Sequence, residues 1–189
     1  MSRHRPLAKL LRAAGMACCA FMFGCTTKPP LPTVAQVDLP RFMGDWYVIA
    51  HIPTSAEKNS YNAVESYRLD ADQRILTTFV FREGGFDGEI QVMEPNGVVW
   101  DTKTNATWGM KFGWPFRFEY LITWLDADYS TTIVSRTRRD YVWIMARTPA
   151  IDPRKLEELT AVVAQQGYDV SKLRLVPQKW PDAAHPKNK

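Results

Sequence analysis

The sequence predicts an all-β domain, a sandwich or closed barrel of about eight antiparallel strands, followed by one helix. Three observations predict it. Short apolar-rich segments recur at even spacing between turn signals from Trp46 to Thr148. Within them, wet and apolar residues alternate. After them, the apolar period becomes that of a helix.

The chain starts differently. Residues 1–24 contain Arg3, Arg5, Lys9 and Arg12 and no acid, and an apolar run over 13–23 leads into Gly24-Cys25. The run is too short to span a bilayer and reads as the apolar region of an export signal. The small residue before Cys25 suggests a bacterial lipoprotein signal, cleaved ahead of a cysteine that becomes diacylated. An ordinary secretory signal cleaved nearby is the other reading. Two acyl chains on Cys25 would anchor the chain stably, where one holds only marginally. In lipoproteins of enteric type, Thr26 in place of an aspartate favours the outer membrane, with the domain facing the periplasm. If cleavage falls there, Cys18 and Cys19 leave with residues 1–24, and the mature domain has no disulfide and no thiol nucleophile.

The formal charge of +4 invites a nucleic-acid reading, but it lies wholly in that first segment. Without its four basic residues the chain holds 20 basic and 20 acidic side chains. A neutral domain lacks the electrostatic footprint for phosphate backbones, so no nucleic acid is expected as partner. Residues 25–38 are proline-rich without apolar periodicity and read as a semi-extended, lipid-anchored tether. The domain is expected over 39–177, and 178–189 as a flexible tail.

Eight segments carry the strand pattern: "DWYVIAHI", "YNAVESYRL", "ILTTFVFRE", "DGEIQVM", "VVWDTKTNATWGMKF", "FRFEYLITWL", "STTIVSRT" and "DYVWIMART". Turn signals such as Gly84-Gly85, Asn96-Gly97 and Asp126-Ala127-Asp128 separate them. From Trp100 to Phe112 the odd positions are mostly polar, while the even ones, including Trp108, Met110 and Phe112, are apolar or neutral. Side chains alternate on a strand, so the even face points inward. The same parity puts Tyr67, Phe79, Phe81 and the even positions from Phe116 to Trp124 inside. Thr77, Thr102, Thr104, Thr132 and Glu65 share that interior. A solid apolar core would not choose Glu65, whereas a cavity with water and a ligand's polar end accepts it. An eight-stranded barrel has room for one small ligand.

In "IDPRKLEELTAVVAQQGY", Leu156, Leu159 and Val163 recur at helical spacing, with Val162 beside them. Asp152 caps the start, Pro153 takes the first position and Gly167 ends the helix. The apolar stripe should lie against the barrel's outside, and "KLRLVPQ" reads as a short final strand.

Gly44-Asp45-Trp46 opening the first strand, "DADY" over 126–129, and "WIMARTP" over 143–149 followed by a helix stand in the order of a known family. The chain resembles the lipocalins, and "DYVWIMARTP…QGYDVSKL" resembles their bacterial, outer-membrane lipoprotein branch. The resemblance runs from about Leu39 to Pro177. It implies an eight-stranded antiparallel up-and-down barrel closed at one end. There Trp46 would plug the base with Arg147 across its ring, and Gly44 would permit a tight turn beneath. Leu39, Phe42 and Met43 would complete the floor.

The resemblance also implies one apolar ligand, a fatty acid or lysophospholipid, held for transport, storage or membrane maintenance; the residues themselves point to no cofactor, and too few His and Cys are present for a metal site. The expected cavity wall is Glu65, Tyr67, Phe79, Phe81, Trp108, Met110 and Phe112, together with Tyr120, Ile122, Trp124, Thr132, Val134 and Tyr141. Tyr67, Tyr120, Tyr141 and Glu65 could meet a head group. An enzyme is the alternative. His51 is the barrel's only histidine, no nucleophile elbow appears, and His51 reads as a rim residue rather than a base. The aromatic stretch "FGWPFRFEY" could instead meet a membrane or a second copy, and some relatives dimerise, so a homodimer is a further expectation.

Overall fold

The structure is a computed structural model and describes residues 28–113 and 116–180. The signal segment with Cys25, Trp114, Pro115, the Phe116 side chain and residues 181–189 lie outside the described residues.

A helical turn, α1 (Leu39–Phe42), leads into β1 (Gly44–Ile52), β2 (Ser60–Leu69) and β3 (Ile75–Glu83). Next come β4 (Ile90–Met93), β5 (Asn96–Val99), β6 (Thr107–Gly113) and β7 (Phe116–Leu125). Then β8 (Thr131–Ser135) and β9 (Val142–Ala146) precede α2 (Pro153–Gln165) and β10 (Arg174–Leu175). Neighbours pair antiparallel, and β9 returns to β1, so the sheet closes. Strand β4 pairs with Phe79 to Arg82 of β3 and β5 with Ile75 and Leu76, so the two form one interrupted stave. The barrel therefore has eight staves, and β10 adds to β1 outside the ring.

The expected continuous strand over 98–112 breaks in two. Asp101 Oδ1 accepts from Lys103 N at 3.0 Å, its Oδ2 accepts from Thr104 Oγ1 at 2.7 Å, and Asn105 takes φ +58°. This aspartate-led turn overrides the alternation. Thr102 and Thr104 are therefore turn residues, not wall. Trp100, 48% exposed, covers Gly109 from outside, where a Cβ would overlap the indole. The Asn96-Gly97 pair, expected as a turn, lies within β5.

Trp124 is a second correction. Register shifts between Ile122 and Trp124, where β7 bulges. A bulge reverses the facing of every later residue. Ile122 thus stays in the inner cluster opposite Val134, while Trp124 pairs with Ile133 and packs in the outer cluster.

That outer cluster is the docking face of α2. Asp152 Oδ1 accepts from Arg154 N at 2.7 Å, Pro153 starts the helix and Gly167 follows it at φ +84°. Leu159 and Val163 are buried against Ala50, Ile133 and Ile144. Covered on both faces, β8 is buried throughout.

The barrel also takes up more chain than expected. Leu31 and Val37 are buried, Val34 N donates to Ile122 O at 3.0 Å and Val37 N to Thr104 O at 2.7 Å. The stretch expected as tether lies along the barrel from Leu31 onward. Past β10, Gln178 Nε2 donates to Val48 O at 2.8 Å and Ala63 O at 3.1 Å, and Trp180 stands edge-on to Tyr47. Residues 178–180, expected as loose tail, are thus held against β1 and β2.

Candidate functional site

One end of the barrel is sealed. Gly44 sits at φ +93°, a conformation that glycine alone takes without cost, and turns the chain from α1 into β1. Trp46, fully buried, donates from Nε1 to Phe42 O at 2.8 Å. The Arg147 guanidinium lies 3.7 Å from the Trp46 ring centroid. It also donates to Asp45 O at 2.9 Å, Arg41 O at 2.8 Å and Phe42 O at 3.0 Å. Burial lowers its pKa to about 10, so it stays charged at neutral pH. The 126–129 motif locks this floor from the side. Tyr129 Oη accepts from Asp38 N at 2.9 Å, Arg41 stacks on the Tyr129 ring, and Asp126 takes Lys155 of α2 at 3.0 Å.

Above the floor, aromatic rings fill the lower barrel. Trp108 and Tyr120 stack at 5.3 Å, and Phe42 and Tyr67 meet Trp108 edge-on at 5.3 and 5.6 Å. Over this bed opens a cavity of about 310 Å³, within the range of small-molecule sites. Glu65, Phe79, Met110, Phe112, Tyr120 and Tyr141 border it. Tyr67, Phe81, Trp108, Ile122 and Val134 belong to the inner cluster without bordering it. Thr132 is buried with its hydroxyl given to Trp124 O at 2.8 Å, and Trp124 is outside. Phe112 is half exposed and meets Phe118 edge-on at 5.6 Å, at the open end.

Glu65 lies opposite Trp46 in register, just above the floor. Burial, reinforced by nearby Glu57, pushes its pKa up to about 8, so at neutral pH it is mostly protonated. Burial likewise raises Tyr67 and Tyr120 well above the usual phenol value, and their hydroxyls bond to each other. The deep end of the cavity is thus polar in places but uncharged.

The wall also includes residues that alternation misses. Glu57, in the turn after β1, accepts from Thr54 Oγ1 at 2.7 Å and Trp143 Nε1 at 2.8 Å. His51, expected at the rim, is buried with Nδ1 3.6 Å from Glu57 Oε2. Glu119 and Arg136 border the upper cavity. Trp143 was legible two residues beyond Tyr141, on the same face. Glu57 stands in a turn, where no periodicity points, whereas Arg136 keeps the parity of Thr132 and Val134 just past the end of β8.

Comparison with known proteins agrees with this architecture. The family profile described as a lipocalin-like domain matches residues 37–178. Over 177 residues the chain is 29% identical to the outer membrane lipoprotein Blc of Escherichia coli K12, covering 90% of this chain and 98% of that protein. It is 28% identical over 162 residues to temperature-induced lipocalin-1 of Arabidopsis thaliana, covering 81% and 86%. Among solved structures, insecticyanin from the tobacco hornworm Manduca sexta superposes with a TM-score of 0.63 at 18% identity, over 82% of this chain and 87% of that one.

Proposed function

The chain belongs to the lipocalin-like family, and on that premise we propose that it is a binding protein that holds one single-chain lipid, a fatty acid or lysophospholipid, in the barrel cavity. The observation that carries this reading is a cavity of about 310 Å³ above a sealed floor, walled by Phe79, Met93 and Met110. Each buried methylene contributes about 0.8 kcal/mol, so a long chain offsets the cost of immobilisation. A volume at the lower end of the ligand-site range suits one acyl chain better than two.

The bacterial relatives carry the name outer membrane lipoprotein. With Gly24-Cys25 this supports anchoring through acylated Cys25 at the outer membrane, the barrel facing the periplasm. Lipid transport, storage or membrane maintenance is the role that fits such a placement. Titrating the delipidated chain with a fatty acid or a lysophospholipid should change tryptophan fluorescence saturably, and native mass spectrometry should find one ligand per chain. No saturable change, with no lipid retained on purification, would reject the reading.

A second copy is the protein partner that the mouth favours. Phe112 and Phe118 are exposed there, and Ile90 and Val92 of β4 are each about half exposed. Light scattering on acyl-free protein distinguishes dimer from monomer.

A further inference from the structure

The cavity's ionisable groups are unevenly distributed along its axis. Glu65 sits low, level with Trp46, whereas Arg136 follows the last residue of β8 at the open end. Among the described residues, Arg136 is the only cationic side chain bordering the cavity. It is 7% exposed, with its guanidinium 5.0 Å from the Phe118 ring and 5.3 Å from the Tyr141 ring.

Its polar partners are incomplete. Asp140 Oδ2 meets Nη1 at 3.2 Å, but Arg138 Nε approaches the same oxygen at 3.5 Å. Arg136 Nε is buried with no hydrogen-bond partner. A buried donor left unpaired costs free energy, and an incoming acceptor recovers it. The other carboxylates at this end are engaged. Glu119 accepts from Thr137 N at 2.6 Å and Thr137 Oγ1 at 3.0 Å, and Glu57 is held by Thr54 and Trp143.

The main chain that carries the guanidinium is also fixed in place, and Asp140 and the two rings hold the side chain. Arg136 N donates to Tyr168 Oη at 2.8 Å, and that hydroxyl reaches Arg136 O at 3.0 Å and Tyr141 O at 2.9 Å. Arg139 Nε donates to Gln166 O at 3.1 Å. The β8–β9 turn is therefore clamped to the end of α2. A pre-positioned arginine loses little freedom when it binds, and its planar fork matches carboxylate or phosphate.

We propose that Arg136 is the anion-binding residue of the cavity, which selects single-chain amphiphiles with an anionic head, seated head-up at the mouth with the tail toward Glu65. This rests on the lipid-binding reading above and narrows the expectation from the sequence, in which Tyr67, Tyr120, Tyr141 and Glu65 could meet the head group: of these, Tyr141 lies beside Arg136, and the other three are left to the tail. The floor cannot serve an anion well. Among the described residues it places no cation on the cavity, and of its two tyrosine hydroxyls one donates to the other while Tyr67 also bonds Glu65.

Three probes of equal chain length test it on the delipidated chain at neutral pH: a saturated fatty acid, the matching fatty alcohol and the matching lysophosphatidate. The unaltered chain should bind at least one anionic probe about tenfold or more tighter than the alcohol, the scale of a charge-assisted bond. Arg136→Gln should abolish that preference while leaving alcohol affinity within about twofold, and Arg136→Lys should keep part of it. The probe that loses most identifies carboxylate or phosphate as the head. An unchanged anion-to-alcohol ratio in Arg136→Gln would overturn the proposal. Should that variant fail to fold, equal binding of all three probes by the unaltered chain would overturn it equally. Binding of none would instead overturn the lipid-binding reading itself.

Discussion

The floor and the mouth of this barrel are built on opposite principles. At the floor the Trp46 indole N–H and both terminal nitrogens of Arg147 have partners. The indole N–H goes to Phe42 O, and the guanidinium covers the ring and bonds three carbonyls. At the mouth, Arg136 Nε lacks a partner, and Phe112 and Phe118 face water. Satisfied buried groups specify one structure, and unsatisfied ones leave binding energy unspent. Stability should therefore concentrate at the closed end and selectivity at the open end.

Substitutions can break that contrast. The largest effect should come from Trp46→Ala, which removes a fully buried indole from the seal. A loss of about 3–5 kcal/mol is expected, measurable by urea unfolding. A loss below about 1 kcal/mol would mean that the floor is not the anchor.

Glu65 tests the deep end by pH. Its folded pKa of about 8 lies above the ordinary value of 4.5, so the folded state holds the proton more tightly. Its contribution to stability is fully present below about pH 4.5 and is lost as pH rises to about 8, at roughly 1.4 kcal/mol per pH unit. Glu65→Gln, which cannot ionise, should flatten this slope and melt higher than the unaltered protein at pH near 8. Parallel stability curves for the two proteins would refute the buried, protonated Glu65.

Arg147→Met keeps bulk over the indole but removes the charge and its three carbonyl bonds. A loss of about 2–3 kcal/mol follows from charged hydrogen bonds plus the ring contact. Lipid affinity should change little, since Arg147 does not border the cavity. The smallest effect on stability belongs to the mouth. Phe118→Ser should shift stability by about 1 kcal/mol, because the ring is partly exposed and gives up only its contacts with Phe112 and Arg136. The same change should weaken lipid binding several-fold, since Phe118 borders the cavity and flanks Arg136. Unchanged titration curves would place the ligand elsewhere.

Much of the closed end was legible in the sequence. Gly44, Trp46 and Arg147 were identified through family motifs, and α2 through Asp152, Pro153 and Gly167, whose capping chemistry is local. Phe79, Met110 and Tyr120 followed from alternation, because a strand fixes facing with a period of two. Trp124 did not, since the bulge at Ile122–Trp124 is set by pairing with β8 and leaves no mark in composition. Trp100, Thr102 and Thr104 misled for a related reason: their alternation is real, but Asp101 and Asn105 bend the chain between them.

What the sequence determined by itself is most of the strands, the helix and its caps, and the balance of charge beyond residue 24. Those depend on neighbours in the chain, through propensity, period and turn chemistry. Only the tertiary structure decided where the hollow ends and which charges face it. It put rings from α1, β2, β6 and β7 together to fill the lower barrel, and it brought Glu57 to the wall from a turn and Arg136 from just past β8. Burial and pairing are relations between distant residues, so the raised pKa of Glu65 and the unpaired nitrogen of Arg136 exist only once the barrel closes.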